Sequence, residues 1–353
     1  MSAPSALQAL RESGIRISSD TAEYHQILEF KADLTDATTN PSLVLAAVSK
    51  PEYADIVRDA VNFARGRLPS ASVREMSALA MDRLLVQVGA QISGIVPGRV
   101  SVSVDPRIAH DYHAIIRKGE TLVALLEDLR IPRSRILIKI PATYEGIRAA
   151  QALEHPSTGE PIHTNMTLVF GRVQALACAQ AGVSVISPFI GRVKDWWDVN
   201  GGAASELSQH PGILLVQNIR STYAAHGYTR TQIMAAGFRA VEEIIELGKY
   251  GVAGGPDLVT LPPNLLDGLR TRTSLGPALK FTPHPINLAT APHYFGGPDS
   301  TNGASLYARD ILEERIADTK VPEGLAKFSV DAQILEDLVK RKVLESAEVS
   351  AML

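Results

Sequence analysis

Short runs of β-branched and aliphatic residues recur along the chain, each ending in small or polar residues and each followed by a stretch whose apolar positions have helical spacing. Eight runs are present: Ile15 to Asp20, Ala32 to Thr38, Arg99 to Asp105, Ile136 to Thr143, His163 to Phe170, Val183 to Ile190, Gln232 to Arg239 and Leu258 to Pro262. Between them, segments such as Thr121 to Leu129, Arg172 to Ala181 and Phe238 to Lys249 read as amphipathic helices. Strand then helix, repeated, predicts a parallel sheet, and eight such units favour closure into an α/β (β/α)8 barrel, a TIM barrel. Spacing alone leaves an open doubly wound sheet as the alternative. No G-x-G-x-x-G fingerprint follows the first strand, which weakens a dinucleotide-binding reading.

No low-complexity linker and no short repeat interrupts the pattern, so residues 1–353 are expected to form one barrel domain. Trp196 to Gly212 and Pro283 to Ser305, rich in Gly, Pro, His and Asn, are expected to be long surface excursions. The first would follow strand six on the active-site face, where long loops usually serve function. The charged, amphipathic tail from Pro322 predicts a closing helix over about 322–345, packed on the barrel.

Composition narrows the function classes. Hydrophobic residues make up 45% and charged residues 21%, which argues against a wholly disordered chain. The net charge of −3 comes with no basic block, so the counterion release that nucleic-acid binding needs has no source and no nucleic-acid partner is expected. Met1 to Ser5 lacks a secretory pattern and no apolar run approaches a membrane span, so a cytoplasmic location without membrane association is expected. The single Cys178 excludes an intrachain disulfide and reads as a small core residue on a helix. No Cys/His spacing suggests a metal site, so neither metal nor organic cofactor is expected.

The sharpest chemical signal is Ile136-Leu137-Ile138-Lys139-Ile140-Pro141, an aliphatic strand broken by one lysine. A desolvated ammonium tends to find a partner or lose its proton, and the neutral amine is a carbonyl nucleophile. A lysine reaching out to the barrel mouth, or paired with a carboxylate, would leave the same trace in the sequence. Three further segments carry polar groups at strand ends. Thr35-Asp36-Ala37-Thr38-Thr39-Asn40-Pro41 runs into an Asn-Pro turn, where turn chemistry alone explains the residue types. In His163 to Phe170, alternation sets Asn165 and Thr167 on one face and Met166 and Leu168 on the other. Arg192 and Arg239 follow strands six and seven, where barrels often build phosphate sites, although surface ion pairs are the plainer reading.

Taken together and in this order, these segments resemble those of transaldolase, from Asp20 to Glu323-Gly324-Leu325-Ala326-Lys327-Phe328. Asp36-Ala37-Thr38-Thr39-Asn40-Pro41-Ser42 and the lysine strand followed by Glu145-Gly146-Ile147-Arg148-Ala149-Ala150 carry the resemblance most specifically. It implies transfer of a dihydroxyacetone unit between sugar phosphates through a Schiff base on Lys139. Asp20 then matches the acid/base aspartate, although a helix N-cap completed by Glu23 would also suit its position. Thr167 matches a threonine that positions water. Asn40 and Asn165 match asparagines on the dihydroxyacetone hydroxyls, Ser187 a substrate contact, and Arg192 and Arg239 a phosphate clamp. Thr38, Ser101 and Phe189 join the substrate-lining set. A homodimer is a family expectation.

The pattern breaks at three places. The resemblance calls for a glutamate on the third strand that acts through water on imine formation, and Ser103 stands there. A hydroxyl does not replace a carboxylate as an acid/base at neutral pH, and such help is worth about 10²–10⁴ in rate. Gly237 stands where a serine is expected against the phosphate, and the interval from Asp20 to Asp36 is slightly long. Phe189 follows the transferase pattern, whereas the related fructose 6-phosphate aldolases carry tyrosine. The Ser103 exchange keeps two alternatives open: a diverged Schiff-base aldolase or lyase acting on another carbonyl compound, and a sugar-phosphate-binding barrel with impaired turnover.

Overall fold

The computed structural model describes residues 4–202, 204, 206–288, 291–295 and 302–352. Eight parallel strands close into a barrel in chain order: β1 (Arg16–Asp20), β2 (Asp36–Thr38), β3 (Val100–Ser103), β4 (Ile136–Pro141), β5 (Thr164–Val169), β6 (Val185–Pro188), β7 (Gln232–Ala235) and β8 (Leu258–Leu261). Strand β1 pairs with both β2 and β8, which seals the sheet and rules out the open alternative. All eight expected runs contain a strand. Most run past it at the C-terminal end, because those residues leave the ladder for the connection into the next helix. β2 is the shortest, since Phe30 to Leu34 form a turn that closes the preceding helix Tyr24–Glu29.

Parallel register sets which side chains share the interior. Ser103 opposes Lys139, Lys139 opposes Asn165, and Asn165 opposes Val185. A small apolar cluster of Leu137, Val185, Met234 and Leu258 fills the barrel axis below them. This is the packed layering expected of a closed barrel. The Met234 sulfur lies 3.9 Å from the Asn165 amide nitrogen, so polar groups begin where the apolar plug ends. Alternation then fails in β5. Leu168 is fully buried with φ +60°, a register shift separates Met166 from Val169, and the strand bends just past Thr167.

Other expectations need correction. Trp196 and Trp197 lie in the helix Ile190–Asn200, and the excursion shrinks to the stretch before the helix Pro211–His226. The His210 ring caps that second helix by accepting from the Gly212 and Ile213 amides, with Pro211 at the first helical position. Residues 203 and 205 lie outside the described residues, as do 289, 290 and 296–301 of the second expected excursion. Its described part is anchored: Tyr294 and Phe295 are buried, and the Tyr294 hydroxyl donates to Asp310 at 2.7 Å. The closing helix starts at Ile316, with Pro322 inside it, and runs to Met352. It packs against the helices Pro41–Val48 and Val73–Ser93 and against β5. Cys178 is buried.

Candidate active site

Lys139 sits two residues below the end of β4, buried at 5% exposure. Its Nζ donates to the Thr39 carbonyl at 3.4 Å, and among the described residues no carboxylate forms an ion pair with it. Burial drives its pKa down, and the more distant charge of Asp20 opposes this only in part. The aliphatic strand therefore presents an amine biased toward the neutral, nucleophilic form.

Asp20, at the end of β1, accepts from the Thr38 hydroxyl at 2.9 Å. That hydroxyl is in turn 2.8 Å from Thr260 Oγ1. Asp20 does not cap the next helix: the N-cap of Tyr24–Glu29 is Glu23, whose own amide is held by Thr21. The carboxylate is thus held by Thr38 of one neighbouring strand, whose hydroxyl is in turn contacted by Thr260 of the other.

On the opposite wall, the Ser187 hydroxyl donates to Asn165 Oδ1 at 2.7 Å, and Asn165 Nδ2 donates to Ser101 Oγ at 3.1 Å. This chain across β3, β5 and β6 fixes the Asn165 amide. Thr167 opposes Pro141, and its hydroxyl is buried with no partner among the described residues, a group left for water or ligand. Asn40 also serves the backbone, since its Oδ1 accepts from the Leu43 amide and caps the helix Pro41–Val48, leaving its Nδ2 without a described partner. Ser103 is buried opposite Lys139, and its hydroxyl donates at 3.4 Å to the same Thr39 carbonyl that the amine contacts.

The two arginines flank one corner of the mouth. Ile190 and Gly191 donate to the carbonyls of Ala236 and Gly237, at 2.8 and 3.2 Å, so the loops after β6 and β7 are stitched together. Gly191 has no side chain because a Cβ there would lie 2.5 Å from the Gly237 carbonyl and 2.7 Å from the Arg239 stem. Arg192 packs against the Phe189 ring, with its Nη1 buried and without a hydrogen-bond partner among the described residues. Arg239 is half-exposed and held by Asp195 at 2.7 Å. Gly237, at φ +68°, leaves open the space that a larger residue would direct at Phe189.

Sequence reasoning missed several groups that shape the site. The Thr39 carbonyl is a backbone group and carries no side-chain signal. Thr260 was readable as the polar position in Leu258-Val259-Thr260-Leu261, pointing inward by alternation. Asp195, Glu323 and Gly324 reach the arginines from helices, and only the folded chain brings them there. Among the described residues no three His, Cys, Asp or Glu side chains gather into a metal site, and no helix is long and apolar enough to cross a membrane.

A closed parallel barrel with a buried lysine inside a strand, unpaired among the described residues, a carboxylate across the mouth and arginines beyond it defines a class: barrel enzymes equipped for carbonyl chemistry through an amine. Residues 17–339 match the family model of transaldolase/fructose-6-phosphate aldolase, and the chain belongs to that family. It is 38% identical to a transaldolase of Saccharomyces cerevisiae, over 97% of this chain and 96% of that one. It is 39% identical to a transaldolase of Schizosaccharomyces pombe, over 96% and 99%. A transaldolase of Gloeobacter violaceus is 40% identical over 95% of this chain and 81% of its own length.

Proposed function

We propose that this protein is a transferase that moves a dihydroxyacetone unit from a ketose phosphate to an aldose phosphate through an imine on Lys139. The observation that carries the reading is the Lys139 amine, buried and without an ion pair among the described residues, facing Asp20 across the barrel mouth. The neutral amine adds to the donor ketone and water leaves, giving a protonated imine. Asp20 takes the proton of the hydroxyl beyond the scissile carbon–carbon bond. That bond breaks, an aldose departs, and its electron pair is stored as an enamine on the nitrogen. Attack on the acceptor aldehyde reverses these steps, with Asp20 returning the proton, and water then frees the product.

The Ser101–Asn165–Ser187 chain and the Asn40 amide suit the hydroxyls of the three-carbon unit. Thr167 suits the water, Thr38 orients Asp20, and Phe189 backs Arg192. Arg192 and Arg239 suit the phosphate, with guanidinium geometry matched to its oxygens. The partners are small sugar phosphates, with no role for nucleic acid, and the working location is the cytoplasm.

The test is trapping with borohydride in the presence of fructose 6-phosphate, read as an adduct on Lys139, together with transfer to erythrose 4-phosphate. Both are expected. Ser103 motivates a second reading, a lyase on another carbonyl compound, which would give the adduct without transfer. Absence of an adduct, with phosphate-dependent thermal stabilisation retained, would leave a binding barrel and overturn both.

A further inference from the structure

A cavity of about 100 Å³ adjoins Ser103, between the end of β3, the helices Val73–Ser93 and Tyr112–Asp128, and the closing helix. It has room for several waters and walls polar enough to hold them. Five charged side chains line it: Asp82, Lys118, Asp105, Arg107 and Glu336. Three of these satisfy one another, since Arg107 bonds Asp105 on one side and Glu336 on the other. The remaining two form a separate pair, with Lys118 Nζ donating to both oxygens of Asp82 at 2.7 Å. Asp82 is buried, whereas Lys118 reaches solvent at 28% side-chain exposure. Burial raises the Asp82 pKa, Lys118 opposes the rise and Asp105 adds to it. Across the cavity, the Ser103 hydroxyl shares the Thr39 carbonyl with the Lys139 amine. A hydroxyl is a poor acid, but once Ser103 turns its single proton from the Thr39 carbonyl toward the reacting centre it can accept from cavity water while donating onward.

We propose that the Asp82–Lys118 pair is a proton reservoir for the imine chemistry, delivering through cavity water and the Ser103 hydroxyl to the reacting centre at Lys139. The proposal rests on the Schiff-base reading above. In carbinolamine dehydration the C–O bond breaks as the nitrogen lone pair forms the C=N bond. The departing hydroxide takes one proton from the relay and leaves as water. The pair recovers that proton from solvent at the exposed edge of Lys118, and hydrolysis runs the same transfers in reverse. Asp82 and Lys118 touch no reacting atom and are positioning residues for a proton. The relay supplies at a distance what a carboxylate at position 103 would supply directly.

The test follows the rate of borohydride-trapped adduct on the full chain with fructose 6-phosphate, across the neutral pH range, with melting recorded for every variant. Ser103→Ala cuts the path without touching the pair and should slow adduct formation about tenfold to a hundredfold. Asp82→Asn should slow it comparably and change the pH dependence of the rate. In the double variant the losses should not multiply, since one path is cut twice. Wild-type rates in Ser103→Ala, or losses that multiply, overturn the relay; the first result decides the matter even if Asp82→Asn fails to fold. A wild-type protein that traps no adduct at any time overturns the Schiff-base reading and the relay with it, whereas normal trapping in Ser103→Ala overturns the relay alone.

Discussion

Lys139 weakens the fold that uses it. Its pKa is lowered by burial, so the folded state disfavours the ammonium that the unfolded chain carries below its ordinary value of 10.5. The penalty is fully present below the folded-state pKa and fades as pH rises toward 10.5, where both states are neutral. Lys139→Met should therefore abolish the adduct and raise the melting temperature at neutral pH by a few degrees, with the gap narrowing in alkaline buffer. Melting curves at two pH values check this; a variant less stable at neutral pH would show that the amine is not desolvated in solution. Wild-type adduct formation should accelerate with pH through the folded-state pKa. Ser103 is the other residue whose chemistry departs from its surroundings. The adjoining cavity gives a longer side chain room, so Ser103→Glu should raise transfer about tenfold or more, and unchanged turnover would mean that imine proton transfer does not limit the rate. Asn40 divides its two roles between atoms, and Asn40→Asp keeps the capping oxygen while losing the amide donor. The melting temperature should hold while the donor's KM rises about tenfold, against a loss of about 1 kcal/mol of stability if the cap itself is removed in Asn40→Ala.

At the level of elements, the eight strands were legible because each β-branched run recurs with a helix after it, and the shared face of Asn165 and Thr167 followed from alternation. Legibility failed where local chemistry competes with the pattern. Proline is at home in the first turn of a helix, so Pro322 reads as a start, yet the helix begins at Ile316 and the proline is carried inside it by packing on β5 and the helices beside it. Nothing in His163 to Phe170 announces that Leu168 takes positive φ, because the cause is tertiary. The Gln174 amide group bonds the carbonyls of Ala142 and Leu168 at 2.9 Å each, and the closing helix presses Gly324 against the Leu168 side chain. A Cβ at Gly324 would lie 2.7 Å from Leu168 Cδ2 and 3.1 Å from Arg192 Nη1. Gly324→Ala gains helix propensity but forces this contact, so a net loss of about 1–3 kcal/mol is expected, together with a rise in KM for the phosphorylated donor. A stabilised variant with unchanged KM would show that the closing helix does not bear on the bend beyond Thr167 or on Arg192.

Across the whole molecule, the barrel gathers at one mouth groups that lie more than two hundred residues apart in the chain, from Asp20 and Thr38 to Arg239 and Thr260. Ligand binding at that mouth should therefore stabilise the entire closed sheet, and the two arginines should contribute unequally. Arg192 offers a buried nitrogen that has no hydrogen-bond partner among the described residues, so an anion there gains a charge-assisted bond without displacing one of them. Arg239 must first be drawn from Asp195, with which it shares a solvent-exposed ion pair of little net worth. Binding at about a hundred times Kd adds about 2.7 kcal/mol, enough for a shift of several degrees in thermal melting. Fructose 6-phosphate and, at higher concentration, inorganic phosphate should both produce the shift, while fructose should not. Arg192→Ala should remove the response to phosphate. Asp195→Ala should preserve or strengthen it, because releasing Arg239 costs less than losing it. Equal shifts from fructose and its phosphate would mean that the arginine corner does not read the anion, and the phosphate assignment would fail while the chemistry at Lys139 stood untouched.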